Sequence, residues 1–325
     1  MSSNNIIIGI DTSNYTTSFA AVDEQSGEVL FNIKKLLSVK NGECGLRQSD
    51  AVFAHVKNLP DVMQAARQAL EDKRVSAIGV SSRPRKLEGS YMPCFLTGVA
   101  VARSLSAVCG APVFEFSHQC GHIMAAIHSS HSEELLNKKF GSFHISGGTT
   151  ELLLTEFKDG DFSSEIVGGT KDINAGQLID RIGVMLGLQF PCGAELEKSA
   201  LKCDKKVKIP KVSADNCYVN LSGVENLAKK VYADTKDKEY TAAYVFEYLG
   251  EAILRISQNY ISAYGDMPIL YAGGVMSNQI IKEKISSRIN SYFAEPKLSS
   301  DNAVGIALLA KNAYLFNKQG EDRKC

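Results

Sequence analysis

The sequence predicts an α/β protein made of two lobes that share one plan, and three observations lead there. The chain has 325 residues, long for a single hydrophobic core, so two lobes of comparable size are expected. Its 44% hydrophobic residues supply material for both. Short β-branched runs alternate with helical periodicity, the order of an α/β domain with right-handed crossovers. Finally, one pattern of strand, small polar turn and strand occurs twice, about 135 residues apart, which points to internal duplication. Two matching turns in two matching lobes are expected to face one another across a cleft, each offering backbone N–H groups to one nucleotide.

Taken in order, Ile6 to Ile10 is a β-branched run that reads as a buried strand. It leads into a turn from Asp11 to Thr17 that is rich in hydroxyls and carries one acid, before Ser18 to Val22 resumes the strand pattern. Such a turn can hold phosphate, or it can be only a turn. Val29 to Ile33 completes a meander, Asp50 to Ala69 has helical periodicity, and Val75 to Ser81 reads as a strand. Cys94 to Cys109 is a second helix, and Val113 to Phe116 a strand. The second hairpin runs from Phe143 to Thr155 around Ser146, Gly147 and Gly148, followed by Asp159-Gly160 and another β run. Asp172 to Leu188 then suggests a helix ended by Gly187, followed by the loop from Phe190 to Gly193. Glu239 to Ala263 is a long amphipathic helix, and Pro268 to Ala272 a strand broken at Gly273-Gly274, with a helix from Ser277 to Ile289 behind it. Ser299 to Ala303 reads as an N-cap opening a helix of small residues. Capping by itself accounts for Asp301 there.

Chemistry concentrates at Phe116 to Ala126. In a helix His118 and His122 leave one face, within reach of a single metal ion, and a carboxylate from elsewhere would complete a facial triad. The same spacing also arises as ordinary helix surface. It occurs in the zinc-protease motif H-E-x-x-H, but Gln119 stands where that motif has its general base, so a peptidase reading loses its chemistry.

The 36 basic and 36 acidic residues balance, so no global field draws nucleic acid. A contact with RNA would have to be local: Arg83-Pro84-Arg85-Lys86 or the lysine-rich segment 202–211, both of which also read as solvated loops. Eight cysteines (Cys44, Cys94, Cys109, Cys120, Cys192, Cys203, Cys217 and Cys325) form no C-x-x-C pair, and no secretory signal precedes Ile6. Reduced thiols in a cytoplasmic protein are the simplest account. No apolar run approaches the ~18 residues that cross a bilayer, so no membrane is expected.

These pieces, in this order from Ile8 to about Ala310, resemble the tRNA threonylcarbamoyladenosine transferase family, which shares the actin, hexokinase and heat-shock ATPase fold. The resemblance implies an actin-like lobe over residues 1–116 and a second over 117–325, with a helix from about 301 packing back toward the cleft. It implies one divalent metal per subunit, iron or zinc, on His118, His122 and Asp301. Asp11 matches the acid of the first hairpin. Ser146, Gly147 and Gly148 match the S-G-G turn, and Asp180, Gly193 and Asn278 the remaining contacts to an adenine nucleotide. The implied reaction moves a threonylcarbamoyl group from threonylcarbamoyl-AMP to the exocyclic amine of an adenosine in tRNA; on chemical grounds Asp11 is expected to take the amine's proton or to hold a metal-bound water. It also implies partner proteins of a tRNA-modification complex.

Several positions depart from the family pattern. Arg83-Pro84-Arg85 stands for G-P-G, Thr149 for a histidine, Asp172-Ile173-Asn174-Ala175-Gly176-Gln177 for D-D-A-x-G-E, and Cys192 for the first glycine of P-G-G. The G-G-V-V-P-E segment is not recognisable in Gly45 to Asp50, although His55 follows at about the right distance. That pattern describes a divergent paralogue. A non-catalytic metal- and nucleotide-binding protein that regulates or scaffolds an assembly is the alternative, and a small-molecule kinase or other carbamoyl transferase of the same fold is a third reading.

Overall fold

The computed structural model describes residues 4–13, 15–38, 46–299 and 303–322. The chain divides into two compact units: Met1–Leu136 with Phe157–Ser163 and Leu298–Cys325, and Asn137–Glu156 with Ser164–Lys297.

In the first unit the order is β1 (Asn5–Ser13), β2 (Thr16–Asp23), β3 (Val29–Leu36), α1 (Gln48–Ala65), α2 (Arg67–Leu70), β4 (Arg74–Arg83), α3 (Phe95–Cys109), β5 (Val113–Ser117) and α4 (His118–Ser129). The sheet runs β3-β2-β1-β4-β5, with β1 antiparallel to β2 and parallel to β4. Ile6, Ile8 and Ile10 of β1 join Leu59 and Val62 of α1 and Ala102 of α3 in one core. Gly9 and Asp11 therefore point to the opposite face, because strand side chains alternate.

That opposite face is closed by α11 (Val304–Asp322), the last helix of the chain. It lies so close that a Cβ on Gly9 would strike the carbonyl of Ala303 and come within 2.7 Å of the Ala307 nitrogen. One on Gly79 would come within 2.5 Å of the Ile306 carbonyl, and one on Gly305 would strike the carbonyl of Gly121 in α4. These glycines are what let backbone meet backbone. The division expected at 116/117 differs for this reason: α4 and α11 are locked together by Gly121 and Gly305, and both pack in the first unit.

The second unit repeats the plan with β6 (Phe140–Ile145), β7 (Thr150–Lys158), β8 (Asp161–Thr170), α5 (Ala175–Met185), α6 (Gly193–Ala200), β9 (Tyr218–Val219), α7 (Ser222–Thr235), α8 (Lys238–Tyr264), β10 (Ile269–Ala272), α9 (Gln279–Ser286), β11 (Ser291–Phe293) and α10 (Pro296–Ser299). Its sheet runs β11-β10-β6-β7-β8-β9. Read from the other end, β8-β7-β6-β10-β11 repeats β3-β2-β1-β4-β5, with β9 added at one edge. In both sheets the first strand pairs antiparallel with the second and parallel with the strand that returns after the helices. The α/β class and the duplicated two-unit plan are thus both present. The second core gathers Phe143, Ile145 and Leu152 with Phe246, Ile253 and Tyr260 of the 27-residue α8.

The differences from the sequence reading are local. The first turn is shorter than Asp11 to Thr17, because the β1–β2 ladder continues to Ser13↔Thr16 and places Asp11 within the strand, opposite Ser18; Asn14 lies outside the described residues. The helix expected over 50–69 ends at Ala65 and restarts as α2. The segment expected to be helical from Ser277 opens as a 3-10 turn, Gly274–Ser277, before α9 begins at Gln279. Gly45 and the cap Ser300-Asp301-Asn302 lie outside the described residues. Among the described residues no helix is long and apolar enough to cross a membrane.

Candidate functional site

Each unit brings together one group of the sequence-predicted residues. In the first, Ser117 caps α4 by accepting from the Cys120 nitrogen, so the helix starts at His118. His118 and His122 leave the same face, with their Nε2 atoms 2.9 Å apart and their rings nearly perpendicular. On its other side His118 Nδ1 lies 3.0 Å from Asp11 Oδ1. Asp11 is fully buried. Its Oδ1 also accepts from the Ser81 hydroxyl, and its Oδ2 from the Ser13 hydroxyl at 2.8 Å. A carboxylate so held fixes the imidazole: with the proton on Nδ1 and directed at Asp11, the Nε2 lone pair faces His122 Nε2, where an electrophile bound by both rings would sit.

The donor set fits a divalent metal. The two Nε2 atoms, 2.9 Å apart, are close enough for one ion to bind both. The carboxylate behind one ligating histidine is the usual outer partner of such a site. Asp301, the expected third ligand, lies outside the described residues, and among the described residues no group of three histidine, cysteine or acidic side chains forms a metal cage.

Behind this cluster is a buried polar layer that the sequence reading largely missed. His55 of α1 is fully buried, with Nδ1 2.8 Å from the Thr17 hydroxyl, which also accepts from Asn58 Nδ2 at 3.3 Å. Burial pushes the His55 pKa down, with the charge of Asp11 opposing it. Thr12 donates to the Cys94 carbonyl at 3.0 Å and accepts from the Gly98 nitrogen at 3.2 Å. Burial, with the nearby Asp11 charge, pushes the Cys94 thiol up to about 11, so it stays protonated. Burial likewise pushes Cys120, between the two histidines in sequence, up to about 12. The sequence reading put Asp11 and Ser13 together in one turn rather than on one strand face, and nothing in it announced the arrival of Ser81 from a different strand.

In the second unit the predicted residues form a closed ring of contacts. Ser146 organises its turn by accepting from the Gly148 and Thr149 nitrogens at 3.3 and 3.2 Å. A Cβ on Gly176 would come within 2.6 Å of the Gly147 nitrogen, so α5 starts directly against this turn. One turn further along α5, Asp180 Oδ1 accepts from the Cys192 nitrogen at 2.8 Å and so fixes Gly193 at the start of α6. Glu197 of α6 accepts from the Gln279 nitrogen at 2.7 Å, beside Asn278. Asn278 caps α9 through Oδ1, while its Nδ2 is buried without a hydrogen-bond partner. Gly273, at φ +96°, closes the ring against the Ile145 carbonyl. Cβ positions on Gly147, Gly148, Gly193 and Gly274 would all meet open space.

Two departures have local explanations, and so does the retained Asp172. Cys192 is buried, and its side chain occupies the space left by Gly183. Gln177 completes a capping box with Asn174, a role glutamine fills as well as glutamate. Asp172 accepts from the Leu221 and Ser222 nitrogens and the Ser222 hydroxyl at the start of α7. Desolvation alone would raise its pKa, but these bonds outweigh it and pull the carboxyl down to about 2.

A profile of the family described as tRNA N6-adenosine threonylcarbamoyltransferase matches residues 7–308. The tRNA N6-adenosine threonylcarbamoyltransferase of Neorickettsia sennetsu is 30% identical over 94% of this chain and 93% of its own length. That of Thermotoga neapolitana is 26% identical over 97% and 95%. Among solved structures, T. kodakarensis HypF overlays with a TM-score of 0.62 at 12% identity, covering 98% of this chain and 48% of HypF. The Acidaminococcus fermentans (R)-2-hydroxyglutaryl-CoA dehydratase component A gives 0.55 at 15% identity, covering 95% and 99%. Those overlays show an actin-like ATPase fold, and the near full-length match shows that the chain belongs to the tRNA N6-adenosine threonylcarbamoyltransferase family.

Proposed function

We propose that this chain transfers the threonylcarbamoyl group of threonylcarbamoyl-AMP to the exocyclic amine of an adenosine in tRNA, using one divalent metal, iron or zinc, on His118, His122 and Asp301. The observation that carries this reading is the pair of imidazole nitrogens 2.9 Å apart, backed by a buried carboxylate, in a chain that matches the family over residues 7–308.

The residues divide the work. Asp11 is buried and both its oxygens are bonded, so its part is to hold His118 in one tautomer and one orientation rather than to collect a proton from substrate. Ser13 and Ser81 keep that carboxylate in place. Bound at the histidines, the metal would supply Lewis acidity to an oxygen that gains negative charge as the amine attacks. With no side chain in the way, the Gly147-Gly148 turn would let the adenylate phosphate approach its backbone, the Gly148 N–H exchanging its contact with Ser146 Oγ for the ligand. Asp180 and the unpartnered Nδ2 of Asn278 are suited to ribose hydroxyls. The attacking nitrogen forms the new bond to the carbonyl carbon, the anhydride bond breaks, and AMP leaves, the amine's proton passing to the departing phosphate or to solvent. The reaction takes place in the cytoplasm with partner proteins of the modification complex.

The substitutions at 83, 149 and 173 favour a second reading, a metal- and nucleotide-binding paralogue that regulates an assembly. Anaerobically purified protein incubated with threonylcarbamoyl-AMP, unmodified tRNA and family partner proteins separates the two. Modified adenosine in digested tRNA, with matching AMP release, is the expected result. Metal and adenine nucleotide bound with no modified adenosine would establish the second reading.

A further inference from the structure

We propose that Arg83, which stands where the family has a glycine, binds a backbone phosphate of the RNA acceptor beside the histidine pair; this rests on the transferase reading above. Arg83 is the last residue of β4 and pairs in register with Ser117, the cap of α4, so its backbone lies next to that of His118. The following residue is fixed as well: the Pro84 carbonyl accepts from the Gln119 nitrogen at 3.0 Å in the first turn of α4. Two residues earlier, Ser81 donates to Asp11. The arginine is thus built into the same framework that orients His118.

Its side chain is exposed and has no acidic partner among the described residues. Lys86, three residues on, differs in this: it is held by Asp161 at 2.6 Å and by the Phe162 carbonyl at 3.3 Å. Of the two, only Arg83 presents an uncommitted cation. Its planar guanidinium can donate two parallel hydrogen bonds to a phosphate. With no net charge on the chain, tRNA must be drawn by local cations of this kind.

The test is equilibrium binding of unmodified tRNA to wild type, Arg83→Ala, Arg83→Lys and Lys86→Ala, from 50 to 200 mM salt, with AMP affinity, metal content and modified adenosine measured in parallel. For Arg83→Ala the expected result is a loss of roughly 3- to 10-fold in tRNA affinity at low salt and a log–log salt slope smaller by about 0.7–0.9. Arg83→Lys should keep the slope and recover part of the affinity, Lys86→Ala should change both less than Arg83→Ala, and AMP affinity and metal content should stay at wild-type values. Unchanged tRNA affinity and slope in Arg83→Ala, alongside a wild type that binds and modifies tRNA, would overturn this inference and leave the transferase reading standing. So would a loss of AMP affinity with tRNA binding intact. A wild type that neither binds nor modifies tRNA would overturn both.

Discussion

The two units share a strand order and a hairpin, yet they equip that hairpin in opposite ways. In the first, Ile10 is followed by Asp11, fully buried, with Ser13, Ser81 and His118 on its oxygens. In the second, Ile145 is followed by Ser146, whose hydroxyl serves its own turn and leaves Gly147 and Gly148 exposed with open space beside them. The first hairpin has become a place for side-chain chemistry under a tightly packed helix; the second has become a place for backbone donors. In the function proposed above, one scaffold used twice would hold a reactive centre and a nucleotide without asking either hairpin to do both.

That contrast can be broken experimentally. The largest effect is expected from His118→Ala or His122→Ala, which should lower transfer to tRNA by about 10³-fold or more, because the metal's charge stabilisation goes with its ligands. Nucleoside mass spectrometry of the reaction product measures it, and near wild-type turnover would detach the histidines from the chemistry. Asp11→Asn keeps the shape but not the charge, and should cost about 10- to 100-fold in metal affinity and activity, as expected for the outer partner of a ligating histidine. Competition with a calibrated chelator reads the affinity directly.

Glycine substitutions sharpen the comparison through stability. Gly9→Ala drives a methyl into the Ala303 carbonyl, so thermal or urea unfolding should show a loss of about 1–3 kcal/mol. Gly147→Ala meets nothing within 4 Å, so stability should change by less than about 0.5 kcal/mol while adenylate affinity falls. Equal destabilisation by the two would erase the distinction between a packed face and an open turn. The smallest effect concerns pH. Asp172 has its folded pKa depressed to about 2, so its contribution to stability is present above the unfolded value near 3.8 and is lost as pH falls toward 2. Because the group is largely exposed, the contribution should stay below about 1 kcal/mol. Asp172→Asn should therefore flatten the acid limb of the stability curve and leave pH 7 activity unchanged.

What the sequence made legible follows from the range of the forces involved. The strand at Ile6 to Ile10, the histidine-bearing helix after Ser117 and the second glycine turn are specified by residues next to one another, through alternation, capping and turn chemistry. The helix α7 was not foreseen, and its N-terminus shows why: the carboxylate that receives the Leu221 and Ser222 nitrogens belongs to Asp172, far upstream. Ser81 reaches Asp11 from a neighbouring parallel strand, and no local pattern announces it. The return of α11 onto β1 was written in the sequence as Gly9, Gly79, Gly121 and Gly305, but glycine marks a close approach without naming what approaches.

The most direct measurement is a paired one on anaerobically purified protein: metal stoichiometry by elemental analysis, and adenosine affinity by calorimetry, in wild type and in His122→Ala. Adenosine carries no phosphate, so it would report the nucleotide site proposed in the second unit without the charge of the proposed metal. Wild type should carry about one divalent transition metal per chain through two imidazoles, and His122→Ala should lose the metal while binding adenosine within about threefold of wild type. A wild type that transfers threonylcarbamoyl groups while holding no metal, or a variant that keeps its metal after losing His122, would contradict the account at its centre.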